Sequence, residues 1–169
     1  VKFLQGGKLI YETVIKYREP TDKKQVGEKL KSKFKFRDYP NIEINGVLYK
    51  TQKNLKGYSP FGLDKRENGL LVHDEYNNVM DLQLFAFDED PNSKYYFGYL
   101  ELKGAYEVIR DFMDKEDEEI LTETRDGFDK RHIFFRSFRK IINVWLKKII
   151  SKDQLEESKG SYLSKETLE

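Results

Sequence analysis

The chain has 169 residues, carries 31 Lys plus Arg against 30 Asp plus Glu, and contains no cysteine. That length lets one domain bury roughly two thirds of the surface its unfolded form exposes, and the missing cysteine excludes a disulfide framework and thiolate metal sites. A net charge of +1 names no partner, although charge is locally segregated.

No stretch approaches the roughly 20 apolar residues needed to cross a bilayer. The N-terminus VKFLQGGKLI also lacks the apolar centre of a secretion signal. The expectation is a cytoplasmic protein without a membrane partner. Val at position 1 suggests a piece of a longer polypeptide or a processed start.

In chain order, KLIYETVIKYR (Lys8 to Arg18) is rich in β-branched and aromatic residues and predicts a strand, which Pro20 ends. Thr21 to Arg37 fits two periods, Val26, Leu30 and Phe34 as in a helix and Leu30, Ser32, Phe34 and Phe36 as in a strand. We expect a helical or irregular start passing into a strand. One face of that strand would then be a row of cations, Lys29, Lys31, Lys33, Lys35 and Arg37.

NIEINGVLYKT (Asn41 to Thr51) predicts a hairpin turning at Asn45-Gly46. Gln52 to Gly69 reads as loop. Gly69 to His73 and Val79 to Phe87 predict a strand pair, Lys94 to Lys103 a further strand with Gly98 as a bulge or close-approach point, and Ala105 to Lys115 a short helix.

The strongest signal follows. Phe134, Phe135, Phe138, Ile141, Ile142, Trp145, Leu146, Ile149 and Ile150 recur at three-and-four spacing, one stripe of an amphipathic helix that must be buried against something, a sheet being the obvious candidate. The other face carries Arg136, Arg139, Lys140, Lys147 and Lys148. Gly127 would permit a tight turn before this helix and Asp129 would cap its first amides. Residues 1–152 are expected to form one α+β domain, a mixed and mostly antiparallel sheet with helices on one face, and 153–169 a charged tail.

The chemistry-bearing patterns are few. His73 and His132 lack metal-ligand spacing, so no metal site is expected, and no phosphate loop, dinucleotide fingerprint or nucleophile elbow occurs. The two cation sets, Lys29, Lys31, Lys33, Lys35 and Arg37 on the strand and Arg136, Arg139, Lys140 and Lys147 on the helix, are candidate contacts to nucleic-acid phosphate. Tyr95, Tyr96 and Phe97 are candidates for a homodimer or scaffold surface.

GLLVHDEYNNV (Gly69 to Val79), YYFGYLEL (Tyr95 to Leu102) and ILTETRDGFDKRHIFFRSF (Ile120 to Phe138) occur in an order that resembles the second domain of GHKL ATPases of the Hsp90, MutL and MORC-like group. The run Thr124, Arg125, Asp126, Gly127 and Phe128 resembles the family's Thr-x-Arg-Glu/Asp-Gly-Leu/Phe motif, with Thr124 directly beside Arg125 and no residue between them. The resemblance covers about the C-terminal half of the chain, piecemeal.

It implies a transducer, or middle, domain of ribosomal S5 domain 2-like fold, inactive alone and part of an ATP hydrolase. Its partner would be an ATP-binding domain of the same polypeptide. ATP and magnesium would sit on that domain, and this chain would hold no cofactor. The resemblance further implies one loop lysine reaching the γ-phosphate. Among Lys50, Lys53 and Lys56, Thr51-Gln52-Lys53 resembles, in swapped order, the Gln-Thr-Lys loop of type II topoisomerases, which favours Lys53.

Overall fold

The computed structural model describes the backbone of residues 2–5, 8–12, 20–56, 66–116, 119–122 and 127–166, and the side chains of 20–56, 66–115, 119–122 and 127–159. It is an α+β fold. Strands β1 (Lys2–Gln5) and β2 (Lys8–Glu12) pair antiparallel with each other. The main sheet contains β3 (Lys24–Gln25), β4 (Leu30–Phe34), β5 (Ile42–Lys50), β6 (Gly69–Asp74), β7 (Val79–Gln83) and β8 (Tyr96–Lys103).

Its order is β3-β5-β8-β6-β7, with β4 beside β3 along the same side of β5. Only β6 and β8 run parallel. Helix α1 (Ala105–Asp111) continues as a wider π-type turn over Phe112–Glu116, and α2 spans Ile133–Glu166.

The inner face of the sheet is set by alternation. Ile42, Ile44 and Leu48 of β5, Leu70 and Val72 of β6, and Leu100 and Leu102 of β8 are buried in register with one another. The stripe of α2 lies over them, and Phe134, Phe135, Phe138, Ile142, Trp145, Leu146, Ile149 and Ile150 are all buried. Rings concentrate at the start of α2: Phe128 lies within 6.1 Å of the rings of Phe134, Phe135 and Phe138, and Phe34 packs on Phe134 at 5.4 Å. Each such side chain contributes about 1.5 to 3 kcal/mol on burial.

Several expected elements shift. Asn45-Gly46 is no turn; both lie inside the nine-residue β5, which pairs with β4 on one side and β8 on the other. The glycine serves packing instead, because a Cβ there would stand 2.7 Å from Leu100 Cδ2 and 3.3 Å from Trp145 Cη2. Sheet pairing on both sides outweighs the local turn preference.

Gly98 is a close-approach point, since a Cβ would stand 2.0 Å from the Val47 carbonyl oxygen. The expected helical start after Thr21 is absent; that segment forms β3 and then β4, with Leu30, Ser32 and Phe34 inward and Lys31 and Lys33 outward. Val79 to Phe87 is strand only to Gln83, and Phe85–Phe87 form a 3₁₀ turn. The charge-rich segment after Lys152 continues α2 as far as Glu166. Of the strand predicted over Lys8 to Arg18, residues 13–18 lie outside the described residues.

Phe138 meets Phe34, Phe85 and Phe128 and has no exposed surface. Phe138→Ala is expected to lower stability by about 3 to 5 kcal/mol through loss of burial and the cavity it leaves, read as an earlier midpoint in urea denaturation at unchanged slope.

Candidate functional site

The root of α2 is tied to the sheet by a carboxylate. Leu121 and Phe128 form an isolated antiparallel bridge, and the Thr122 amide donates to the Gly127 carbonyl at 2.9 Å, so these two short stretches are clipped together. Asp81 of β7 reaches up beneath them. Its Oδ2 accepts from the Phe128 amide at 3.2 Å and from Gln83 Nε2 at 2.5 Å, and its Oδ1 accepts from the Leu82 amide at 2.7 Å.

Gly127 is packed so closely that a Cβ would meet both Asp81 oxygens at 3.3 Å. Burial pushes the Asp81 carboxyl above its ordinary range, and the hydrogen bonds from Phe128, Leu82 and Gln83 oppose that rise without cancelling it. Of the expected motif from Thr124 to Phe128, Gly127 and Phe128 are buried here, and Thr124, Arg125 and Asp126 lie outside the described residues.

Helix capping falls to a different side chain than expected. His132 Nδ1 accepts from the Phe134 amide at 3.1 Å, whereas Asp129 stabilises the preceding turn by accepting from the Arg131 amide at 2.8 Å and pairing with its guanidinium at 3.1 Å. Asp129 sits four residues before Ile133, too far back to reach the first helical amides.

About five turns along, α2 is fastened to the sheet again. Lys50, the last residue of β5, contacts Asp153 and Glu157 at 2.6 Å each, and the Tyr96 hydroxyl donates to the same Asp153 oxygen at 2.6 Å. The Lys50 ammonium also stands 5.3 Å from the Tyr96 ring centroid. Burial works to lower the Lys50 pKa, but the hydrogen bonds the ammonium donates to Asp153 and Glu157, with their negative charge, outweigh it and hold the group above its ordinary value. Burial and the Asp153 hydrogen bond both push the Tyr96 hydroxyl upward, so it stays protonated as the donor.

The loop carrying Lys53 starts at this fastener. The Thr51 amide donates to the Tyr95 carbonyl at 2.9 Å, Thr51 Oγ1 donates to the Lys53 carbonyl at 2.7 Å, and the Leu55 amide donates to the Lys94 carbonyl at 2.7 Å. The backbone is therefore pinned while the Lys53 side chain is exposed, with no carboxylate within ion-pair distance among the described residues. Among the described residues, Lys50 is committed to two acids and Lys53 to none.

Beside this loop, Arg66 is buried. It pairs with Asp88 and donates to the carbonyl and the side-chain oxygen of Asn68, and Asp88 in turn accepts from the Leu84 amide at 2.6 Å. Sequence reading missed Arg66, Asp81 and the Lys50-Asp153-Tyr96 contact. Each joins residues too distant in the chain for any local pattern to reveal them.

The two cation sets project differently. Lys29, Lys31, Lys33, Lys35 and Arg37 are exposed; Lys33 pairs with Glu43 at 3.0 Å and Arg37 lies 4.6 Å from the Phe112 ring centroid. Arg136, Arg139, Lys140 and Lys147 are exposed along α2. Among the described residues no group of His or acids suits a metal ion, and no helix is long and apolar enough to cross a membrane. Tyr96 and Phe97 are buried, at 1% and 0% exposure, so they offer no surface for a homodimer.

No protein-family model matches the chain, and no curated protein sequence matches it.

Two substitutions separate the fasteners. Asp81→Ala leaves the buried Phe128 amide without an acceptor, at about 1 to 3 kcal/mol, and hydrogen exchange at Phe128 should accelerate while β5 stays protected. Lys50→Met should cost about 1 kcal/mol near neutral pH. Because the folded state holds the Lys50 proton more tightly than the unfolded chain, its contribution is complete below the unfolded lysine pKa and fades as pH rises through the folded one. Urea denaturation of wild type and variant should therefore converge only in strongly alkaline solution.

Proposed function

We propose that this chain is a transducer module of a GHKL-type ATPase, converting the nucleotide state of a neighbouring ATP-binding domain into movement of α2 against the sheet. The ordered motifs at Gly69 to Val79, Tyr95 to Leu102 and Ile120 to Phe138 support the reading. The observation that carries it is the layout of the Lys53 loop. An exposed lysine, without an acid partner among the described residues, sits on a pinned backbone three residues from Lys50, which grips the distal part of α2.

A cation fixed by its backbone suits phosphoryl transfer, where negative charge on the transferring group is stabilised by preorganised positive charge. In this reading ATP and magnesium are held by the other domain, and Lys53 is this chain's contribution to the phosphate. Tension on the loop passes through Thr51 to Lys50, and from there to Asp153 and Glu157. The Asp81 contact to Phe128 keeps the root of α2 in place, so the distal part of the helix is the part released.

The isolated chain should show no ATP turnover. In a polypeptide joining it to its ATP-binding domain, Lys53→Ala should lower kcat at least tenfold, while Lys56→Ala should leave it within twofold. Ordinary turnover by the isolated chain, or an unchanged kcat in Lys53→Ala, would overturn the assignment.

A further inference from the structure

From Ile133 to Lys152 the sequence contains six cations, Arg136, Arg139, Lys140, Lys147, Lys148 and Lys152, and no acid. All six side chains are exposed. Among the described residues only Lys152 has an acid partner, Glu156 at 3.9 Å, and the other five have none. Twenty helical residues span about 30 Å, so this is a rigid rail of uncompensated charge.

The rail does not end at the helix edge. A cleft of about 340 Å³ between α2 and the start of β4 is lined by Lys29 and Lys31 on one wall and Lys148 and Lys152 on the other. Its shape is fixed from within: Trp145 Nε1 donates to the Glu28 carbonyl at 3.1 Å, and Gly27, at φ +64°, lies directly against Ile149. Of the three acids at this cleft, Asp153 is held by Lys50 and Tyr96, Glu156 is beside Lys152, and Glu28 is exposed beside Lys29, leaving four lysines against three carboxylates. Cations far apart in the chain thus form one band running from the β4 edge over the outer side of α2.

We infer that this band binds the phosphodiester backbone of a nucleic-acid duplex without reading sequence. Cations spread over about 30 Å match a regularly charged polymer, whose condensed counterions are released on binding. The exposed apolar residues on this side are sparse: Ile133, Val144 and Leu155 recur every eleven residues, about 16 Å apart along the axis. That spacing gives neither the continuous apolar face of a helix lying in a membrane nor the contiguous apolar centre of a protein interface. The inference is independent of the transducer reading, since it needs no nucleotide and no second domain.

The test is fluorescence anisotropy of the whole chain with labelled 25-base-pair DNA and RNA duplexes of mixed sequence, from 50 to 200 mM salt. Binding should weaken steeply with salt and be similar for unrelated sequences. The exposed reversals Lys140→Glu/Lys147→Glu and Lys29→Glu/Lys31→Glu should each weaken it at least tenfold and flatten the logarithmic salt slope by about one unit per cation lost. Lys103→Glu, on the outward face of the sheet, should change affinity less than twofold, and circular dichroism should show every variant folded. Binding to DNA alone, RNA alone or both duplexes supports the inference. No duplex binding at 50 mM salt, equal loss in Lys103→Glu, unchanged affinity in the band variants, or binding only to phosphatidylserine vesicles would overturn it.

Discussion

Everything in this fold depends on the burial of one apolar stripe. Among the described residues, the side chains of α2 from Phe134 to Ile150 and the inner face of the main sheet, with Ile44, Leu48, Leu100 and Leu102, form one buried apolar cluster. Neither layer is stable by itself in water, because a sheet with one bare apolar face and a helix with one bare apolar stripe both expose what they should bury. The two glycines facing the helix, Gly27 and Gly46, belong to the same constraint. They let the backbone approach Ile149 and Trp145 at distances a side chain would forbid.

Apolar packing is strong but does not fix position along the helix axis to a fraction of a turn. Polar contacts at the two ends supply that. Asp81 holds the turn before α2 through a backbone amide, and Lys50 with Tyr96 holds Asp153 and Glu157 farther along. The first is a hydrogen bond from the amide of buried Phe128, expensive to break because that amide would be left without an acceptor. The second is a partly exposed ion cluster that water and salt can compete with. The helix is therefore fixed more firmly at its root than farther out, a mechanical asymmetry that the proposed transducer role uses.

Charge follows a separate logic from packing. Overall the molecule is almost neutral, yet its cations collect on the outer side of α2 and the β4 edge. The ion pairs of Lys33 on β4 with Glu43 and of Arg131 with Asp129 are solvated and contribute little to stability. The helix cations are different in kind because among the described residues five of the six lack an acid neighbour. A set of uncompensated charges on a rigid element costs self-repulsion in the free protein, which a polyanion would remove.

The α+β class, the strands over Leu30 to Phe34 and Tyr96 to Lys103, the Gly69 to Gln83 strand pair and the amphipathic stripe of α2 were all legible in the sequence, because period-2 and period-3.6 patterns are local and survive without knowledge of neighbours. The expectation that Gly127 permits a tight turn falls partly outside the described residues, which omit 123–126. Gly46 was misread as a turn, since only the presence of β4 and β8 on both sides makes Asn45-Gly46 a strand interior, and only Trp145 above it explains why no side chain is tolerated. Lys50 was passed over for the same reason: nothing near it in the chain announces Asp153, about a hundred residues away. Periodicity thus decided which elements form and which face each one buries. Tertiary structure alone decided which distant charges meet, because an ion pair or a shared carboxylate depends on separation in space, and chain order does not encode that separation.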